Sequence, residues 1–99
     1  EHLRDVKWSD AVFASDMGAI ACYRFVTEWG IQVPDHMKIM AYDGTDFTRM
    51  MMPVMTAVRQ DIPKLATSCA DTVDRLVQRK EPVHMHRIID VEFQKGGTT

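Results

Sequence analysis

Three oxygen-bearing side chains directly follow short apolar runs of the sequence, where they could hold a polar ligand. Ser15 and Asp16 follow residues 11–14, and Asp43 follows residues 38–42. Hydroxyl and carboxylate oxygens bind ligand hydroxyl groups by hydrogen bonding, without any bond being broken. In parallel α/β sheets, small ligands lie beyond the carboxyl ends of the strands. We therefore expect Ser15, Asp16 and Asp43 to lie at a ligand-binding edge of such a sheet.

A third predicted strand, residues 56–59, is followed by two more polar residues. Gln60 and Asp61 stand at its carboxyl end, and Pro63 comes shortly after them. Asp61 is a favourable residue at a helix N-cap, and proline is tolerated in the first turn of a helix. The two polar residues can therefore divide two roles, with Gln60 contacting the ligand and Asp61 capping a helix.

The elements that would position these residues alternate between strand and helix. Hydrophobic periodicity and turn residues predict strands at 11–14, 38–42, 56–59 and 87–93, and helices at 16–29 and 62–79. The first strand is apolar on both faces, as parallel strands require. A long loop follows Asp43 and contains Met50, Met51 and Met52. The pattern predicts an α/β fold with a doubly wound parallel sheet.

The first predicted helix carries apolar residues on two sides. At about 100° per residue, its core face comprises Gly18, Ala21, Cys22, Phe25, Val26 and Trp29. Met17 and Ile20 fall on the opposite side, together with Arg24 and Glu28. The second helix has one apolar stripe, made of Leu65, Ala66, Cys69, Val73, Leu76 and Val77. Exposed apolar residues on the first helix and in the methionine loop indicate a partner surface, which a two-fold homodimer would cover.

Composition excludes several classes of protein. The 99 residues include 12 Lys and Arg against 14 Asp and Glu, a net charge of −2, so this segment offers no field for nucleic acid. No apolar run approaches the roughly 18 residues of a membrane span.

His84 and His86 would share a face, but no further ligand is spaced to complete a metal site, and we expect neither metal nor cofactor. Cys22 and Cys69 lie far apart on apolar helical faces, which favours reduced, buried thiols in a cytoplasmic protein over a disulfide.

The chain reads as the carboxyl-terminal piece of a longer protein. It begins with Glu1 instead of Met, and the end, residues 95–99, has the composition of a natural tail.

Four spaced motifs resemble the carboxyl-terminal part of the lactose and galactose repressor family of bacterial transcription regulators. They are Ala-Ser-Asp-Met-Gly-Ala-Ile-Ala, Gly-Ile-Gln-Val-Pro, Ile-Met-Ala-Tyr-Asp-Gly and Thr-Ala-Val-Arg-Gln-Asp. The resemblance implies a two-lobed domain like the periplasmic sugar-binding proteins, with an effector between the lobes. A helix-turn-helix domain that binds operator DNA would lie outside this chain. It also implies that residues 10–57 belong to the carboxyl-terminal lobe, 58–86 to the other lobe, and 87–99 to a returning strand and tail.

The same resemblance implies roles for individual residues. Asp43 matches the family's sugar-binding aspartate, Gln60 the glutamine at the crossover, and Ser15 a position where several members carry a ligand-contacting asparagine. Asp16 is a further ligand candidate from its strand-end placement. The family's dimer contact uses the first helix and the methionine loop, which identifies an expected interface of Met17, Ile20, Arg24, Phe47, Met50, Met51 and Met52.

Two other functions compete with this interpretation. Tyr42-Asp-Gly-Thr-Asp46 is similar to the nucleophile motif of haloacid-dehalogenase-type phosphatases, but Ala41 stands where the nucleophilic aspartate would be, so we expect no enzyme. A periplasmic sugar-binding protein of a transport system would share the fold. Such proteins are usually monomeric, and the apolar methionine surface argues against that alternative.

Overall fold

The chain alternates strands and helices throughout the part that the structure describes. This computed structural model describes residues 11–80 and 86–99. Its elements, in chain order, are β1 (Ala11–Ser15), α1 (Asp16–Glu28), β2 (Lys38–Asp43), α2 (Asp46–Met50), β3 (Thr56–Gln60), α3 (Ile62–Val77) and β4 (Val91–Gln94). The first three predicted strands and both predicted helices are confirmed, with bounds that differ by one or two residues.

The strands form one sheet in the order β1-β2-β3-β4. β1 pairs with β2 in parallel, with Val12 opposite Ile39, and β2 pairs with β3 in parallel, with Ala41 opposite Ala57. Because these three strands run in the same direction, their carboxyl ends meet at one edge of the sheet. The predicted α/β class with parallel strands is therefore confirmed.

The hydrophobic core involves α1 and the strands on which it packs, β1 and β2. Val26 of α1 and Ile39 of β2 are completely buried. Burying aliphatic side chains of this size contributes about 1.5–3 kcal/mol each. The buried apolar residues are Ala19, Val26, Met37, Ile39, Ala41, Met55 and Ala57.

The core face of α1 differs from the predicted one. Of the predicted set, Gly18, Ala21 and Phe25 are exposed, whereas Val26 is buried. The inward face runs through Asp16, Ala19, Tyr23 and Val26, which repeat at i, i+3, i+7 and i+10 as one helix face does. Cys22 of the predicted set is partly buried against the core, and so is Ile20, which was predicted to lie on the opposite side. The polar side chain of Asp16 points inward and begins this face, which a purely hydrophobic pattern does not detect.

Two further elements differ from the predictions. The loop after Asp43 contains the short helix α2, which begins after Thr45 and ends before Pro53. The last strand begins at Val91, not at residue 87. Arg87 instead donates hydrogen bonds to the Ser68 hydroxyl and the Asp71 carboxylate, both at 3.2 Å.

The carboxyl-terminal segment, residues 95–99, follows β4 and is hydrogen-bonded to residues of β2 and β3. Thr98 is completely buried, and its carbonyl oxygen accepts a hydrogen bond from the Ile39 amide at 2.8 Å. Gly97 donates its amide to the Val54 carbonyl at 2.7 Å. A side chain at Gly96 would not fit, because its Cβ would lie 2.1 Å from the Val54 carbonyl oxygen.

The chain divides into two compact units. One ends at Arg59 and takes up the chain again over Phe93–Thr99, and the other comprises Gln60–Glu92. In the second unit, α3 is amphipathic as predicted, but none of its residues is buried. Val73, Leu76 and Val77 of its predicted apolar stripe are exposed by half or more.

Candidate ligand-binding site

Asp43 is the last residue of β2 and adopts an unusual backbone conformation. Its φ is 111°, a region that residues other than glycine rarely occupy. Such strained positions cost about 1–3 kcal/mol and concentrate at binding and active sites, where surrounding structure holds them in place. Asp43 is half-buried, and its backbone conformation depends on support from the surrounding residues.

Gly44, which follows, allows the turn to pass close to β3. Its φ is +67°, and a Cβ there would lie 2.7 Å from the Cα of Arg59. Arg59 is also the residue of β3 that lies opposite Asp43 in the parallel register. Because only glycine combines this φ with this approach, any side chain at position 44 would be strained.

Asp16 also holds the turn at Gly44 and Thr45, through hydrogen bonds to its carboxylate. The Asp16 carboxylate accepts hydrogen bonds from the Gly44 amide at 3.0 Å, the Thr45 amide at 2.7 Å and the Thr45 hydroxyl at 2.5 Å. The residue is only 5% exposed. Both carboxylate oxygens are thus engaged with the chain that follows Asp43.

Ser15 lies at the carboxyl end of β1, beside Tyr42 of β2. It occupies the N-cap position of α1, but its hydroxyl makes no capping hydrogen bond. The side chain is exposed at the edge where Asp43 also lies. The structure thus brings Ser15, Asp16 and Asp43 to the carboxyl ends of two neighbouring strands, as the sequence predicts.

Gln60 is the last residue of β3 and the first of the second unit. It is partly buried. The predicted role of its neighbour Asp61 as the N-cap of α3 is confirmed. The Asp61 carboxylate accepts a hydrogen bond from the Lys64 amide at 3.0 Å.

Gln94 was not predicted from the sequence, although it joins three elements of the first unit. Its side-chain amide donates to the Thr48 hydroxyl at 3.2 Å and to the Met55 carbonyl at 2.8 Å. Its oxygen accepts from Arg49 at 3.2 Å and from Arg59 at 3.3 Å. A single glutamine at the end of an acidic and apolar strand carries no sequence signal for such a role.

The predicted dimer surface is exposed in part. Met17, Phe47, Met50 and Met52 are each more than 60% exposed, whereas Ile20 and Met51 are partly buried against the core. Phe25 was assigned to the core, but it is 51% exposed. An open groove of about 330 Å³ runs along this side of α1, lined by Met17, Ile20, Ala21, Arg24, Phe25 and Glu28. The spacing of Met17, Ala21 and Phe25 at four-residue intervals was the available signal for it.

Three charged residues of the second unit, Asp71, Arg75 and Arg87, form an ion-pair cluster beside a cavity of about 640 Å³. Asp71 pairs with Arg87 and with Arg75, both at 3.2 Å. The hydrogen bond from Arg87 and the nearby Arg75 charge hold the pKa of the Asp71 carboxyl below its ordinary value. Arg87 thus pairs with residues of its own unit, and these contacts account for the position of its side chain.

Both cysteines are free, as expected, but Cys69 is exposed and only Cys22 is partly buried. Burial raises the pKa of the Cys22 thiol. Within residues 11–80 and 86–99, no three His, Cys, Asp or Glu side chains are grouped to hold a metal ion. His84 lies outside the described residues. Over the same ranges, the helices are all too short or too polar to cross a membrane.

Comparison with known proteins assigns the family. Residues 2–99 match the model of the periplasmic binding protein-like domain, so the chain belongs to that family. It is 32% identical over 73 residues to the sucrose operon repressor of Streptococcus mutans, covering 73% of this chain and 23% of that protein. It is 30% identical over 88 residues to the lactose operon repressor of Escherichia coli K12, covering 87% of this chain and 24% of that protein.

A solved structure agrees with this assignment. A LacI family transcriptional regulator from Enterococcus faecium with bound ribose superimposes with a TM-score of 0.85 at 28% identity, over 99% of this chain and 36% of that one. The chain thus spans about a quarter of the curated relatives given above. The periplasmic-binding-protein-like fold expected from the resemblance is confirmed.

Proposed function

We propose that this chain is the effector-binding and dimerisation part of a sugar-responsive transcription repressor of bacteria. The observation that carries the proposal is Asp43, which lies at the carboxyl end of β2 in a strained conformation that neighbouring groups hold. The relatives described above support it, because two are operon repressors and the third is a transcriptional regulator with bound ribose.

In this proposal, the chemistry is hydrogen bonding alone. The Asp43 carboxylate accepts bonds from sugar hydroxyls, and the Ser15 hydroxyl supplies a further donor and acceptor. The Gln60 amide is a separate candidate contact, which rests on the resemblance alone. Charge-assisted hydrogen bonds contribute about 1.5–3 kcal/mol each. Effector binding then changes operator affinity only if the two functional states of the repressor bind the effector differently. Operator DNA is bound by a helix-turn-helix domain outside this chain, in the cytoplasm.

The two alternative functions have less support. A dehalogenase-type phosphatase requires a nucleophile two residues before Asp43, and that position is the completely buried Ala41. A transport protein would share the family fold, but the relatives described above are regulators.

The ligand proposal is tested on the full-length protein by calorimetry with ribose, sucrose and lactose as probes. We expect at least one to bind, and Asp43→Asn to weaken that binding by at least about tenfold, since 1.4 kcal/mol corresponds to a factor of ten. Asp46→Asn is the matched control, because Asp46 is an exposed aspartate on the neighbouring α2. Wild-type affinity in Asp43→Asn, or no binding of any of the three sugars, would contradict the proposal.

The dimerisation proposal rests on the exposed side of α1 and on three exposed apolar residues of and after α2, namely Phe47, Met50 and Met52. Leaving large apolar side chains such as Met17 and Phe25 in water forgoes about 1.5–3 kcal/mol apiece, which a two-fold partner recovers. We expect Met17→Glu with Phe25→Glu to give monomers in sedimentation, while Gln32→Glu, at another exposed position, leaves the dimer intact. A double variant that still sediments as a dimer would place the interface elsewhere.

A further inference from the structure

We propose that Asp16 is a positioning residue for effector binding: it fixes the main chain at Gly44 and Thr45, and through them holds Asp43 at the carboxyl end of β2. The inference deepens the proposed function and rests on it. It also changes the role expected for Asp16, which the strand-end placement alone suggested as a ligand contact.

The hydrogen bonds of Asp16 carry the argument. One carboxylate oxygen accepts from the Gly44 amide, and the other accepts from the amide and the hydroxyl of Thr45. These partners lie 28 and 29 positions along the chain, so the contact joins the start of α1 to the end of β2. A carboxylate that is 5% exposed and engaged through both oxygens offers little surface to a ligand.

The conformation of Asp43 shows why such an anchor matters. A φ of 111° persists only where the surroundings enforce it. Here the following residue is held from two sides: Asp16 binds the Gly44 amide, and the main chain of Arg59 leaves no room for a Cβ at Gly44. Binding sites depend on such support, because a side chain must be held close to its productive geometry before the ligand arrives.

Thr45 permits a test that leaves the main-chain contacts in place. Thr45→Val removes only the hydroxyl donor, and Thr45→Ser restores it. Asp16→Asn is the stronger, nearly isosteric change, since an amide group replaces one acceptor oxygen. Thr27→Val is the matched control, because the Thr27 hydroxyl bonds the Tyr23 carbonyl within α1, at an exposed position.

Two measurements on the full-length protein test the inference. Hydrogen exchange at the Gly44 and Thr45 amides, which needs no ligand, is expected to be at least about tenfold faster in Asp16→Asn than in wild type. Calorimetry with the sugar among ribose, sucrose and lactose that binds wild type is expected to show about fivefold weaker binding for Thr45→Val and about tenfold for Asp16→Asn. Thr45→Ser and Thr27→Val should bind as wild type does.

The outcomes separate this inference from the proposed function. If Asp43→Asn weakens binding but Thr45→Val and Asp16→Asn do not, Asp16 has a structural role only, even if both variants melt earlier, and the inference is overturned. Unchanged amide exchange in Asp16→Asn would also overturn it. If Asp43→Asn itself binds like wild type, the proposed function fails, and the inference fails with it.

Discussion

Replacement of Thr98 by valine should destabilise the protein strongly, although the residue is the last but one of this chain. The Thr98 hydroxyl donates to the Ile39 carbonyl at 2.6 Å and accepts from the Thr56 amide at 3.0 Å. All three residues are completely buried. The carboxyl-terminal segment thus bonds to β2 at Ile39. The pairing of β2 with β3 begins at the next residue, Met40.

The expected magnitude follows from the two groups that lose their partner. Valine has the shape of threonine but no hydroxyl, so the Ile39 carbonyl and the Thr56 amide are each left without this hydrogen bond. A buried polar group left unsatisfied costs about 1–3 kcal/mol, so the sum is about 2–6 kcal/mol. Thr98→Ser keeps the hydroxyl and loses one buried methyl group, which costs only about 1 kcal/mol. Total stabilities of about 5–15 kcal/mol make this difference large.

The assay is urea denaturation of the full-length protein, comparing transition midpoints of the two variants. Thr67→Val serves as a control, because the exposed Thr67 hydroxyl also bonds a main-chain carbonyl, that of Pro63. The midpoint should fall most for Thr98→Val, less for Thr98→Ser and least for the control. If Thr98→Val is no less stable than Thr98→Ser, the hydroxyl contributes nothing to stability and the reasoning from its two hydrogen bonds is refuted.

Two other changes test the turn at Gly44 and the ion pairs of Asp71. Gly44→Ala should lower the free energy of unfolding by more than Gly30→Ala: both positions have positive φ, which costs alanine about 1–2 kcal/mol, but only at Gly44 would the new Cβ meet Arg59. Equal urea midpoints would refute this. Because the folded protein lowers the pKa of Asp71, its ion pairs stabilise above the ordinary aspartate pKa, and that stabilisation is lost as the pH falls through the lowered value. Wild type should therefore melt slightly higher than Asp71→Asn at pH 7 and equally at strongly acid pH; a pH-independent difference would contradict the assignment.

Much of the fold could be predicted because its signals are local. Short apolar runs ended by polar residues located β1, β2 and β3, and a three-to-four-residue apolar period located α1 and α3. The placement of Ser15, Asp16 and Asp43 at the ends of β1 and β2 followed from one rule of parallel sheets, that their carboxyl ends share an edge. Such signals depend on residues close together in sequence.

The features that were missed depend on residues far apart in sequence. The inward face of α1 begins at Asp16, whose partners are Gly44 and Thr45, so the helix phase is set by a polar contact that hydrophobic periodicity does not register. Thr98 is buried because it bonds Ile39, 59 positions away. A chain end rich in glycine and threonine has the composition of an unpacked tail. Only its tertiary contacts show that this one is packed.

The two aspartates at the sheet edge illustrate what placement leaves undecided. Asp16 and Asp43 both follow the carboxyl ends of apolar runs, and the strand-end rule treats them alike. The structure separates them by conformation and partners: Asp16 is helical, buried and bonded to a neighbouring turn, whereas Asp43 is half-buried with a strained φ. A carboxylate bonded to main-chain amides holds structure, and in the proposed site the residue whose strained conformation it supports, Asp43, is the ligand contact. For this reason a change at Asp16 should act on the effector only through Asp43.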